Sequence, residues 1–129
     1  MIAVVTTVSG SFAVDLDEDD VEPWSGEPAV PMLLELNLPR LVAAAAAGSA
    51  VVAVVDTKPP LVVSHDAGST WRESGRGLPA GRAVAISEDD PDVVLYATRN
   101  RLFISRDGGT FWSSLPVELP EIEAIELRS

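Results

Sequence analysis

Cysteine is absent from this chain of 129 residues. That excludes disulfide staples, thiolate zinc sites and thiol catalysis, and it leaves the redox compartment open. Positive charge is missing before Arg40, a stretch that instead carries Asp15, Asp17, Glu18, Asp19, Asp20, Glu22, Glu27 and Glu35. All nine Lys and Arg lie from Arg40 onward, and the net charge is −11. A surface this acidic repels polyanions, so neither nucleic acid nor an anionic membrane is an expected partner. The opening MIAVVTTVSGSF has neither a basic n-region nor a proper apolar h-segment, so it does not read as a secretory signal. The longest apolar run, LVAAAAAGSAVVAVV at 41–55, is broken by Gly48 and Ser49 and is too short to cross a bilayer. A cytoplasmic location is the expectation. Histidine is nearly missing too: His65 stands alone, which excludes a histidine-rich metal site and a catalytic base duplicated across repeats.

What is present is a chain that is 47% hydrophobic, rich in Val, Ala and Leu, and long enough to bury the core of one ordinary domain. Its organisation is a repeat. Residues 57–79, TKPPLVVSHDAGSTWRESGRGLP, fall on residues 98–120, TRNRLFISRDGGTFWSSLPVELP, without a gap. Ser64 meets Ser105, Asp66 meets Asp107, Gly68 meets Gly109 and Trp71 meets Trp112. A worn third copy is expected upstream, with Trp24 in the part of Trp71, Asp17 in that of Ser64 and Asp19 in that of Asp66. Three copies are placed at about 1–48, 49–90 and 91–129.

Each copy reads as short strands. RAVAISEDDPDVVLYAT is an apolar run, a turn built on Glu88, Asp89, Asp90 and Pro91, and a second apolar run. RLFIS and TFW flank RDGG, whose Asp-Gly favours the positive φ of a hairpin turn. Alanines 43–47 taken alone favour a helix. The repeat register overrules that and predicts strand, Gly48-Ser49 turn, strand. Four short strands in about 41 residues is the size of one propeller blade.

Ser-x-Asp-x-Gly-x-x-Trp, at 64–71 and again at 105–112, resembles the Asp-box, or BNR repeat, of sialidases, sortilin-type receptors, xyloglucanases and photosystem II assembly factors. The resemblance implies an all-β fold of three four-stranded Asp-box propeller blades, in which the box holds a hairpin between the outer two strands. Asp66 and Asp107 are expected to accept hydrogen bonds from turn N–H groups, and Ser64 and Ser105 to add a second local bond. Gly68 and Gly109 then allow the tight backbone, and Trp71 and Trp112 fold over the hairpin. These eight residues are structural, and no catalytic, cofactor or metal residue is assigned.

Closed propellers need at least four blades. The first copy starts at a second strand, and residues 122–127, bounded by Ile122 and Leu127, read as a spare first strand. A homodimer is therefore expected, a six-bladed ring in which each terminal strand completes the partner's first blade. Arg99, Arg101 and Arg106 of the last copy would face the acidic first copy across that junction.

Other chemistry fails residue by residue. A sialidase site needs an arginine triad and a Tyr nucleophile, but Tyr96, the only Tyr, sits in the strand-like VVLYAT and reads as core. Glu121, Glu123 and Glu126 punctuate the last strand, where period two puts Glu121 and Glu123 on one face. Asp15, Asp17 and Asp19 open like a calcium loop, but Asp20 stands where Gly is needed and Gly26 where Glu is needed. His65 occupies a variable box position and is expected in solvent, and GRGLPAGR lacks the strand-to-helix context of an anion loop. The resulting expectation is a non-enzymatic binding or scaffold propeller with a protein or glycan ligand and no cofactor. A lectin is the alternative, and a vestigial glycoside hydrolase a more distant one.

Overall fold

The structure, a computed structural model, describes residues 1–32 and 34–128. It is all-β, with twelve strands among the described residues: β1 (Ile2–Thr7), β2 (Gly10–Asp15), β3 (Val21–Pro23), β4 (Leu41–Ala47), β5 (Ala50–Val55), β6 (Leu61–Ser64), β7 (Arg72–Ser74), β8 (Ala83–Ile86), β9 (Val94–Ala97), β10 (Leu102–Ser105), β11 (Ser113–Ser114) and β12 (Ile122–Arg128). They form three four-stranded antiparallel sheets, ordered β12-β1-β2-β3, β4-β5-β6-β7 and β8-β9-β10-β11. No described helix is long and apolar enough to cross a membrane.

The alanine run is strand. Ala44 pairs with Ala53 and Ala47 with Ala50 around Gly48, whose φ of 60° makes the tight turn possible. Pairing decides this against local propensity, because β5 is a valine strand that satisfies β4 along its length. The sheets also group residues differently from boundaries at 48 and 90. β4 and β8 each belong with the three strands after them, and β12 with the three that open the chain, so the divisions fall at the segments 24–40, 75–82 and 115–121.

The closing strand pairs with the expected neighbour, but within one chain. Here β12 completes the chain's own first sheet, with Ile2 opposite Arg128 and Val4 opposite Glu126. The expectation placed that strand on a partner; in the single chain it is donated at home. The reason is the 24–40 linker, which is twice as long as the 75–82 connection from β7 to β8 or the 115–121 connection from β11 to β12. That length lets β1–β3 travel to the far end of the molecule and meet β12.

The spatial order therefore differs from the chain order. β8 lies between β4 and β12, and no Cα of β4 comes within 8 Å of one of β12. The third sheet is the middle of a three-sheet arc, with the second sheet on one side and the first on the other. Two cores result. Val52, Val54, Leu61 and Val63 of the second sheet pack on Val84, Ile86, Val94 and Tyr96 of the third. Leu95, Leu102 and Ile104 on its other face pack against Val5, Val14, Ile122 and Ile125 of the first. Being packed on both faces, β9 is a continuous buried run rather than an alternating one.

Candidate functional site

The two Ser-x-Asp turns close β6 onto β7 and β10 onto β11 with the same serine bonds and with aspartate bonds that differ in their donors. Ser64 ends β6 and its Oγ donates to Asp66 Oδ1 at 2.7 Å while accepting from Gly68 N at 2.8 Å. Ser105 repeats this with Asp107 Oδ1 at 2.7 Å and Gly109 N at 2.8 Å. Asp66 Oδ1 takes Thr70 N at 2.8 Å, and Asp107 Oδ1 takes Thr110 N and Phe111 N at 3.0 Å each. Gly68 and Gly109 have φ of 90° and 92°, a conformation that a side chain would strain. Both serines are buried, so the turn donors that would otherwise lie unpaired are satisfied from within. The Thr70 hydroxyl and N–H, with the Ser64 hydroxyl, pull the Asp66 pKa down to about 2. Asp107 is lowered in the same way, first by Phe111 N–H and then by Ser105.

The upstream turn uses a different register from the one expected. β2 ends at Asp15, which stands at the place of Ser64 and Ser105, and Asp15 Oδ1 accepts from Asp17 N at 2.9 Å and Glu18 N at 3.2 Å. These two bonds lower the Asp15 pKa. Trp24 does not take the part of Trp71: it follows β3 and donates Nε1 to Glu27 O at 2.8 Å. Its ring instead packs with Val4, Ala29 and Ala124, and the Arg128 guanidinium lies 5.5 Å from its centroid. Pairing of β2 with β1 and β3 sets the register here, and the residues inserted near the turn hide it from the sequence.

The turns also join sheet to sheet. Trp112 Nε1 donates to Ser74 Oγ at 2.9 Å, Ser74 Oγ donates to Gly109 O, and the indole meets Tyr96 edge-on at 6.0 Å. The exposed Arg72 guanidinium reaches Gly108 O and Thr110 Oγ1 at 3.5 Å, and His65 Nε2 at 3.4 Å. On the other side Arg106 pairs with Asp17 at 3.5 Å. The charge complementarity expected between last and first copies thus forms inside one chain. Arg99 turns instead to Glu121 at 3.1 Å and Arg101 to Glu118 at 4.0 Å.

The concave side of the arc holds the larger opening. Its walls are β4, β8 and β12, and the linker crosses it at Pro31 and Met32. One cavity of about 590 Å³ runs from Val30 and Met32 to Glu88, Asp89 and Arg128. A second of about 560 Å³ runs from Met32 and Glu35 to Arg82 and Glu123. Ala43, Ala44, Ala45, Ala83 and Ala124 keep the walls low. Beside the second cavity, Glu121 accepts from Arg82 at 2.7 Å and from Arg99 at 3.1 Å, and these cations lower its pKa, Arg82 foremost. Glu123 is exposed at the cavity wall rather than paired in that cluster.

The carboxyl groups whose pKa values are displaced, Asp15, Asp66, Asp107 and Glu121, are all displaced downward by hydrogen-bond donors or cations. Such groups hold negative charge at neutral pH and are poor proton donors. Tyr96 is fully buried, donates its hydroxyl to Pro79 O at 2.6 Å, and burial raises its pKa, so it is no phenolate nucleophile. Among the described residues no three His, Asp or Glu side chains gather as a metal site. Sequence reasoning missed Pro31, Met32, Arg82 and Ser74. The unequal linker lengths were the one signal for the first two, while Ser74 gains its role only from the neighbouring sheet.

The class that this arrangement defines is a propeller-like repeat fold of antiparallel blades. Among solved structures it is similar to the GH74 enzyme of Niastella koreensis, a β-propeller, with a TM-score of 0.50 and 23% identity over 92% of this chain. The chain corresponds to 18% of that enzyme's length, and at this identity the likeness is one of fold. No family model matches the chain, and no curated protein does.

Proposed function

We propose that the chain is a non-catalytic binding or scaffold module of the Asp-box propeller type, working in the cytoplasm. Its ligand is a protein or glycan held at the concave opening. The observation that carries this reading is the opening itself: two cavities of about 590 and 560 Å³ against small-residue walls, divided by Pro31 and Met32. Pockets of this size accept a ligand of several residues or sugar units. The local bonding of the two Ser-x-Asp turns supports a structural part for Ser64, Asp66, Gly68, Ser105, Asp107 and Gly109, and the rings of Trp71 and Trp112 lying near Gly68 and Gly109 support the same for them.

A lectin is the second reading, favoured by one feature. Phe111 is 76% exposed in the third-sheet turn, next to the Thr110 hydroxyl and the Arg72 guanidinium that reaches it. An exposed ring flanked by hydrogen-bonding groups is a platform for a sugar face. Screening the full chain on a glycan array and against proteins of its source finds the ligand, and a variant at each site separates the two readings. Glu123→Arg at the opening is expected to abolish capture under the first reading, and Phe111→Ala under the second. Turnover of an aryl-glycoside panel would contradict both.

A further inference from the structure

The arc leaves two faces without a sheet against them. The first sheet's far face is covered by the linker, through a small cluster of Val4, Ala29, Ala124 and Trp24 with Ala29 N donating to Thr6 Oγ1 at 2.9 Å. The second sheet's far face is the repeat counterpart of a packed one. Strand pairing equates its Ala44, Ala53, Val62 and Trp71 with Val84, Tyr96, Phe103 and Trp112, which the second sheet covers on the third. On that face Ala44 and Ala53 are buried, and Val62 and Trp71 are half-buried.

We propose that a second copy of this chain covers that face by exchanging its first three strands. Residues 24–40 act as the hinge. In the exchanged form β1–β3 of each copy pair with β12 of the other, keeping the register that places Val4 opposite Glu126 and the whole interface with the third sheet. What changes is the neighbour beyond: each set of β1–β3 now stands directly before its own β4–β7. Two three-blade arcs then become one six-bladed ring with twofold symmetry, in which the linker leaves the first sheet's far face and the second sheet's far face packs in its place. The concave opening becomes an axial channel walled by six inner strands, so each copy completes the other's opening.

Linker length supports the exchange geometrically. Neighbouring blades in this fold are joined by the segments 75–82 and 115–121, each half as long as 24–40, so the longer linker suffices for either arrangement. A hinge able to reach both ways is the usual requirement for swapping. The exchange reshapes the opening that the ligand reading uses, but its readout is mass rather than binding, so the two fail separately.

Size exclusion with light scattering on the full chain at about 10–100 μM, a range that detects micromolar association, tests it. A dimer is expected. Deleting residues 28–36 leaves a linker as long as 75–82, enough for adjacent blades but not for the return across the third sheet, and is expected to give only dimer. Val62→Arg places a charge in the exchanged interface and is expected to weaken the dimer at least about 100-fold, leaving a monomer with an unchanged circular dichroism spectrum. A wild-type monomer throughout the range overturns the proposal. So does a deletion variant that is monomeric or unfolded, or a dimer indifferent to Val62→Arg.

Discussion

Replacing Trp112 by Phe isolates one bond between the second and third sheets. The indole Nε1 donates to Ser74 Oγ at 2.9 Å, and Ser74 in turn donates to Gly109 O. Phe keeps a ring against Tyr96 and removes the donor, so the loss is one part-buried hydrogen bond, about 1 kcal/mol. Trp112→Ala also removes the edge-on contact with Tyr96 at 6.0 Å and the packing against the second-sheet core, and is expected to cost about 3 kcal/mol, the low end for a large aromatic because the ring is only partly buried. Urea unfolding followed by circular dichroism reads both. With a slope of about 2 kcal/mol/M, the midpoint falls by about 0.5 M for Phe and about 1.5 M for Ala. A double-mutant cycle with Ser74→Ala is expected to give a coupling of about 1 kcal/mol. Additive effects within about 0.3 kcal/mol would refute the bond across the two sheets.

Three further expectations rest on named contacts. Gly81→Ala would push a methyl group into the Tyr96 ring, so it is expected to cost about 3 kcal/mol or more, while Ala80→Gly at the exposed neighbour costs about 1 kcal/mol or less; thermal melts compare them. The depressed pKa of Asp66 means that its charged form stabilises the fold above the unfolded value of about 4 and that this stabilisation is lost as pH falls toward about 2. The stability gap between wild type and Asp66→Asn is therefore expected to be full at about pH 6 and to shrink steadily below pH ~4, and a gap that ignores pH contradicts the bonding described. Glu121→Gln breaks pairs with Arg82 and Arg99 that are largely solvated, so its cost is expected to be small at low salt and to vanish in about 1 M salt, checked by urea midpoints at the two salt concentrations.

Local features were legible in the sequence where chemistry and register agree. The Ser64 and Ser105 turns came from the ungapped repeat, the strand nature of alanines 43–47 from its register, and the burial of Tyr96 from the apolar run VVLYAT. The worn first copy was misaligned because an acidic turn can be held by Asp15 as well as by a serine, and composition does not show which acid ends the strand. The closure was half legible. Pairing of β12 with β1 is written in their complementary patterns, but which chain supplies β12 depends on how far the 24–40 linker reaches, a geometric property with no local signature. The opening was invisible for the same reason, since Pro31 and Met32 acquire meaning only once the linker crosses β8.

The pairing of β12 with β1 is the claim on which the arc, the opening and the exchanged ring all depend. Because the chain has no cysteine, Ile2→Cys with Arg128→Cys introduces one pair at directly opposed positions, and Ile2→Cys with Glu123→Cys an off-register control. Mild oxidation of the folded protein, read on a non-reducing gel, is expected to link the first pair nearly completely, within one chain or between two, and to leave the control reduced. A first pair that stays reduced, or a control that links equally well, would contradict the account.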